Sequence, residues 1–432
     1  MDLRNESNHV FNIKLAKIIG LYQMLDPGTV KCRGRNIYHI VTSCALLYMC
    51  LISMILILSI LYYWNVNIPI SVDYFWKAMD SFYIIYKTWM IIHYSNDLWN
   101  CLSITRYDFT TLSNRSRHIL DRWRERLVWL TTIYAIMYLT STVSYLSITL
   151  AFSGDKLPVK NHDVSIGYYR QNCHESMKSM NLYLIVSDET YNALYYMFYF
   201  VEALFGVFMG LYFLIFDILL VTLCFGMCCQ MEIICSAFES VGHKSLCDQH
   251  SPTDYTDENI KISTNEHDII YEELKTIIID HQAVMEIYEH FLTLFRRVML
   301  WHIFVSSLLV IALWFTAIMS FSNDERFKTS EVIVKKIIYS VIPAISFQIF
   351  MLCYLFGNVH NQKDSVIFAL YSSNWTEMDM KCKKLILLTM TLNNANQKKL
   401  KFTRTKIVNL EMFFKTMGNC YTVISVLVNY IL

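Results

Sequence analysis

Four stretches of this sequence hold no Asp, Glu, Lys or Arg: residues 36–72, 127–154, 298–323 and 337–362. Each exceeds the roughly 20 apolar residues that a helix needs to cross a bilayer core. In lipid a backbone must satisfy its own hydrogen bonds, so such runs fold as helices. A fifth apolar region, residues 191–238, carries only Glu202, Asp217 and Glu232. A weaker one, residues 74–94, carries Lys77, Asp80 and Lys87. A seventh begins after Lys415, from which 17 uncharged residues run to Leu432. The expected fold is an all-α membrane protein with seven transmembrane helices. Residues 191–238 would suffice for two spans, but hold no Pro and no turn cluster, so one long helix running on into the cytosol is expected. An eight-span chain is the alternative. Composition agrees with a membrane class: 55% of residues are hydrophobic and 17% charged, against about a quarter charged in soluble domains. A net charge of +1 leaves no nucleic-acid footprint. The first 36 residues are polar and basic, unlike a secretory signal.

Orientation follows from Lys and Arg, which gather on the cytoplasmic side. Residues 1–36 hold six, residues 95–126 six, and residues 358–406 nine. Residues 63–72 hold none, and the four in 153–190 face five acids. The expectation is a cytoplasmic N-terminus and an extracellular C-terminus. Glycosylation sequons beginning at Asn5, Asn114 and Asn374 then fall inside and go unused. Of 13 cysteines, Cys173 alone would lie in an extracellular loop, which leaves no bridge within the exterior loops. The others are expected to pack as small hydrophobes. Cys228 and Cys229 are candidates for lipidation, with packing the stronger reading.

Several function classes drop out. "DRWRER" at 121–126 looks like the motif of G-protein-coupled receptors, but it precedes a span instead of following the third one, and the N-terminus lies inside. No H-E-x-x-H, Gly-rich phosphate loop or C-x-x-C pair is present, so no enzyme and no cofactor is expected. "DHQAVMEIYEHF" offers His281 and His290, but nine residues of helix set them on opposite faces. An amphipathic helix is the reading there, not a metal site. Its apolar positions, including Ile270, Leu274, Ile277, Ile278, Val284, Ile287, Phe291 and Leu294, recur at helical spacing. A helix from about 268 to 321 would project far beyond the membrane into the cytosol. With a further inner helix after the sixth span, it suggests a cytoplasmic helical anchor bundle where subunits meet.

Three segments carry a resemblance. "IIDHQAVMEIYEHF" resembles the cytosolic helix before the fifth span of insect odorant receptors. "ALYSSNWTEMDMKCKKLILLTM", with Trp375, resembles their last inner segment. "LEMFFKTMGNCYTVISVL" resembles their last span, with Leu410, Phe413 and a Cys420–Tyr421 pair where Ser-Tyr or Thr-Tyr is usual. The related gustatory receptors share the fold, but their terminal pattern is not matched after Tyr421. The family's shared co-receptor has a longer second cytoplasmic loop and a different end. The resemblance therefore implies a ligand-tuning subunit. The organisation expected is a cytoplasmic segment 1–36, spans 1–4 within 37–238, a flexible loop 239–267, an anchor helix 268–297, spans 5–6 within 298–357, an anchor segment 358–405 and a terminal span 406–432.

The function implied is an odorant-gated, non-selective cation channel in the plasma membrane of an insect sensory neuron. Its partners would be the co-receptor in a heterotetramer, membrane lipid, permeant cations and a small volatile ligand such as an ester or terpenoid. The pore would be lined by Thr422, Ser425, Val426 and Asn429 of the last span. The bland alternative has Thr and Ser bonding back to their own helix and Asn429 in headgroups. The ligand pocket would occupy the outer halves of spans two to six. Candidates are Met79, Phe82, Tyr83 and Tyr86 in span two, and Tyr138, Ser141 and Tyr145 in span three. Span four offers Tyr195, Phe198, Tyr199 and Glu202, span five Trp314, and span six Tyr339, Ile342 and Ser346. A gustatory channel is the alternative within the fold, and a transporter the alternative from another class, although inverted repeats and broken helices are not seen.

Overall fold

The computed structural model describes residues 8–64, 68–112, 116–151, 158–159, 168–169, 194–243, 259–319, 337–395, 399–401 and 406–431. Two short helices, α1 (Ile13–Ile18) and α2 (Leu21–Leu25), lead into a small hairpin of β1 (Lys31–Cys32) and β2 (Arg35–Asn36). Its turn needs two positive φ angles, supplied by Arg33 (51°) and Gly34 (81°). Asn36 then caps α3 (Ile37–Tyr63), its side chain accepting from the Tyr38 N–H at 2.9 Å. Next come α4 (Ile68–His93), α5 (Ser95–Cys101) with a 3₁₀ turn at Leu102–Thr105, and α6 (Arg117–Ala151). A two-residue ladder, β3 (Pro158–Val159) with β4 (Tyr168–Tyr169), follows. The rest is α7 (Tyr195–Ser240), α8 (Asn259–Met319), a π turn at Ile337–Val341, α9 (Ile342–Ser372), α10 (Met380–Ala395) and α11 (Leu410–Ile431).

Seven of the described helices, α3, α4, α6, α7, α8, α9 and α11, have 22 residues or more, and they occupy the seven apolar regions of the sequence. By length and composition α3, α7, α8 and α9 are apolar enough to cross a membrane. Helix α4 carries Asp73, Lys77, Asp80 and Lys87, α11 holds Glu411 and Lys415, and α6 keeps its charges in its first turns, before the uncharged run from residue 127. Residues 195–240 form one unbroken helix of 46 residues, about 70 Å long. Helix α8 begins at Asn259 instead of near 268 and runs 61 residues, about 90 Å. Its first turns are polar, which hides their periodicity. Pairing sets the bundle: α3 lies along α4, α7 along both α6 and α9, and α11 along α8 and α9.

At the end where α3 begins and α4 ends, the long helices are tied together by polar contacts. Gln230 of α7 donates to the carbonyls of Ile104 (3.1 Å) and Arg106 (3.2 Å) and accepts from Thr110 (3.2 Å). Gly226 lets the 3₁₀ turn approach, since a Cβ there would meet the Ile104 and Thr105 methyl groups at 3.1 Å. Asp280 of α8 accepts from the Thr111 N–H (3.0 Å) and hydroxyl (2.7 Å). His281 is buried while His290 is exposed beside Asp97, 4.0 Å away. Cys228 and Cys229 are enclosed in the core, so both thiols pack. Asn374 of the third sequon binds Gly242 (3.2 Å) and Glu377 (2.8 Å) within a tight turn. Asn5, Asn114 and Cys173 lie outside the described residues.

Candidate functional site

A charge in a membrane helix must find partners inside the bundle. Helix α4 places Asp73, Lys77, Asp80 and Lys87 at steps of four, three and seven residues, which a 3.6-residue period brings to one face. Asp73 takes the Lys77 ammonium at 2.5 Å and the Trp76 indole N–H at 3.0 Å. Lys87 lies 3.8 Å from Asp217 of α7. Its ammonium sits over the rings of Tyr83 and Phe216, both 4.3 Å to the centroid, and of Phe213 at 4.7 Å. Tyr138 of α6 donates to Asp217 at 2.6 Å, and Gln348 of α9 donates to the Tyr138 hydroxyl at 3.4 Å. One network therefore joins α4, α6, α7 and α9.

Directly against this network lies a cavity of about 460 Å³, within the size range of small-molecule sites. Helix α4 gives it Trp76, Lys77 and Asp80. Helix α6 gives Met137, Tyr138, Thr140, Ser141 and Thr142, and α7 gives Phe205, Gly206, Met209, Gly210 and Phe213. Val341 of the π turn and Ala344, Ile345 and Gln348 of α9 complete the wall. The cavity sits towards the end of the bundle where α4, α7 and α9 begin and α6 ends. Gly206 and Gly210 form a small-x-x-x-small pair that lets α6 come close. A Cβ on Gly210 would meet the Thr142 hydroxyl at 2.6 Å.

Of the expected pocket residues, Tyr138 and Ser141 stand on this wall. Tyr83 lines a separate void of about 30 Å³ with Lys87, Asp217 and His302. Met79 packs in the core, while Phe82 and Tyr86 point outward from α4. Phe198, Tyr199 and Glu202 occupy the turns of α7 before the cavity; Phe198 and Glu202 are buried. The Tyr48 hydroxyl reaches the neighbouring Val201 carbonyl at 2.5 Å. Trp314 of α8 is 37% exposed and Tyr339 78% exposed, whereas Ile342 is buried and Ser346 half-buried. The side chains of Tyr145 and Tyr195 lie outside the described ones. Sequence reading missed the acidic and basic residues of α4 and the Gly pair of α7. The signal was present: four charges on one helical face, facing a G-x-x-x-G helix.

Helix α11 buries Cys420 and Ile424 against the bundle and leaves the other side bare. Thr422 and Asn429 are exposed, Ser425 is half-buried, and Val426 is 63% exposed. The Thr422 hydroxyl bonds back to the Gly418 carbonyl at 3.0 Å, as the bland reading has it. A second cleft, of about 200 Å³, runs between α8 and α11 and is lined by Phe304, Leu308, Lys415 and Asn419 among others.

Long apolar helices around an open-sided, mostly apolar cavity are the architecture of a helical membrane protein with room for a small molecule. The family model for the 7tm Odorant receptor matches residues 72–421, and the chain belongs to that family, the odorant receptors of insects. The olfactory receptor OR5 of Machilis hrabei has a similar fold, with a TM-score of 0.64 at 16% identity over 96% of this chain and 97% of that one. The same receptor in complex with eugenol gives a TM-score of 0.62 at 15% identity, over 97% and 98% of the two chains. No curated protein matches the sequence.

Proposed function

We propose that this chain is the odorant-binding subunit of a ligand-gated, non-selective cation channel in the plasma membrane of an insect sensory neuron. The long helices α3, α4, α6, α7, α8, α9 and α11 cross the bilayer, with the N-terminus cytoplasmic and the C-terminus outside. The Lys- and Arg-rich segments before α3, between α4 and α6 and between α9 and α11 then share the cytoplasmic side. With that polarity the cavity occupies the outer half of the bundle, and α5, α10 and the inner ends of α7 and α8 form the cytoplasmic anchor. Four subunits, co-receptor included, surround a pore lined by the bare side of α11.

The cavity carries this reading. A chain of an olfactory family holds a space of about 460 Å³ between four helices, lined mainly by aromatic, Met and small side chains. That chemistry suits a small, mostly apolar volatile. The OR5 structure in complex with eugenol shows such a fold with a small organic molecule bound. Filling the space tests it. Ala344→Trp projects a large ring into the cavity from α9. Cells co-expressing the co-receptor and this variant should lose the response to an odorant that activates the wild type, by tenfold or more in half-maximal concentration. Surface expression should be retained. An unchanged dose–response curve would place the ligand elsewhere.

A further inference from the structure

The charge balance beside the cavity says what the ligand carries. Asp73, Asp80 and Asp217 face Lys77 and Lys87, leaving one carboxyl more than there are ammonium groups. Asp73 is taken by Lys77 and Trp76, and Asp217 by Lys87 and Tyr138. Among the described residues Asp80 makes no hydrogen bond and no ion pair within 4.0 Å, and it lines the cavity. It stands at the middle of α4, half-buried on the cavity wall and within the field of Lys87. We propose that the ligand bears one hydrogen-bond-donating head group, a hydroxyl or an amine, which binds the Asp80 carboxyl, on a compact apolar body held by Phe205, Met209 and Phe213. Ionised or neutral, the Asp80 carboxyl keeps an acceptor oxygen, so a hydroxyl or amine completes it and a hydrocarbon end does not. The Trp76 and Tyr138 rings on the same wall suit a cationic head as well as a neutral one.

This inference rests on the cavity being the ligand site, and the test separates the two. The full-length chain is purified in lipid nanodiscs, and its thermal stabilisation is titrated with 2-phenylethanol, 2-phenylethylamine and propylbenzene. These probes share a shape and end in hydroxyl, amine and methyl. The alcohol, the amine or both should half-saturate at a concentration at least tenfold below propylbenzene, and which one leads identifies the head group. Asp80→Leu should abolish that advantage. Asp80→Asn, which keeps an acceptor without the charge, should spare the alcohol and weaken the amine. Equal binding of all three probes in the wild type, or an advantage that survives Asp80→Leu, would overturn the role of Asp80 while keeping the cavity. Absence of any stabilisation that Ala344→Trp removes would overturn the cavity and this inference together.

Discussion

Lys87 illustrates how a membrane helix keeps a charge. The side chain is 3% exposed, roofed by three aromatic rings and held 3.8 Å from Asp217. Removing one partner strands the other, a loss of about 3–5 kcal/mol for a buried pair, whereas replacing both by apolar groups is often neutral. Lys87→Met should therefore lower the melting temperature markedly, and Lys87→Met with Asp217→Leu should recover most of it. A double variant less stable than the single would contradict the pairing. His281, where α8 packs against α10, sets a pH dependence of its own. Burial, with a contribution from nearby Lys363, pulls its imidazole down to about 4, against about 6.5 in an unfolded chain. Between those values the unfolded chain binds a proton that the folded one does not, so stability falls as pH falls from about 6.5 to 4 and levels off below. The full effect is at most about 3 kcal/mol. His281→Leu should flatten this part of the melting-temperature profile between pH 7 and 5; an unchanged slope would remove His281 from the account.

At the scale of elements, α11 has one packed side and one bare side. Ile424 is buried against the bundle and Val426 lies bare on the opposite side. In the proposed pore, Val426→Lys would put a cation on the conduction path and should suppress inward cation current or shift permeability at normal surface level. Ile424→Lys should instead lower the amount of folded protein, because an unpaired charge is buried. Permeability ratios for sodium, potassium and calcium decide it; equal selectivity and conductance for wild type and Val426→Lys would take α11 out of the pore. The long helices were legible because charge-free runs leave a chain in lipid few choices. The start of α8 at Asn259 was not, because polar residues carry no periodic signal. The face of α4 was legible in retrospect: Lys77, Asp80 and Lys87 read as blemishes in a weak span, yet Lys77 and Asp80 stand on the wall of the cavity and Lys87 on the separate void beside it. The aromatic residues chosen for the pocket scattered instead, since an aromatic in a helix bundle packs against neighbours as readily as it lines a space. Phe82 and Tyr86 face outward, and Ile342 is buried one turn from the wall.

For the molecule as a whole, the odorant receptor family accounts for 72–421 of the sequence, and the fold matches an olfactory receptor at only 16% identity. Helix length and apolar runs set such a bundle, and here polar ties from residues 104–111 to α7 and α8 fasten it. On the proposed function, this bundle gates a cation current when a small molecule enters it, together with a second, shared subunit. The odorant-evoked whole-cell current in cells that lack the co-receptor, compared with the same cells supplied with it, tests this. Little or no current is expected from this chain alone, and a robust, cation-carried current when the two are expressed together, with its ligand profile set by this chain's cavity. Large odorant-evoked currents from the chain alone, or a profile indifferent to Ala344→Trp in the co-expressed channel, would contradict it.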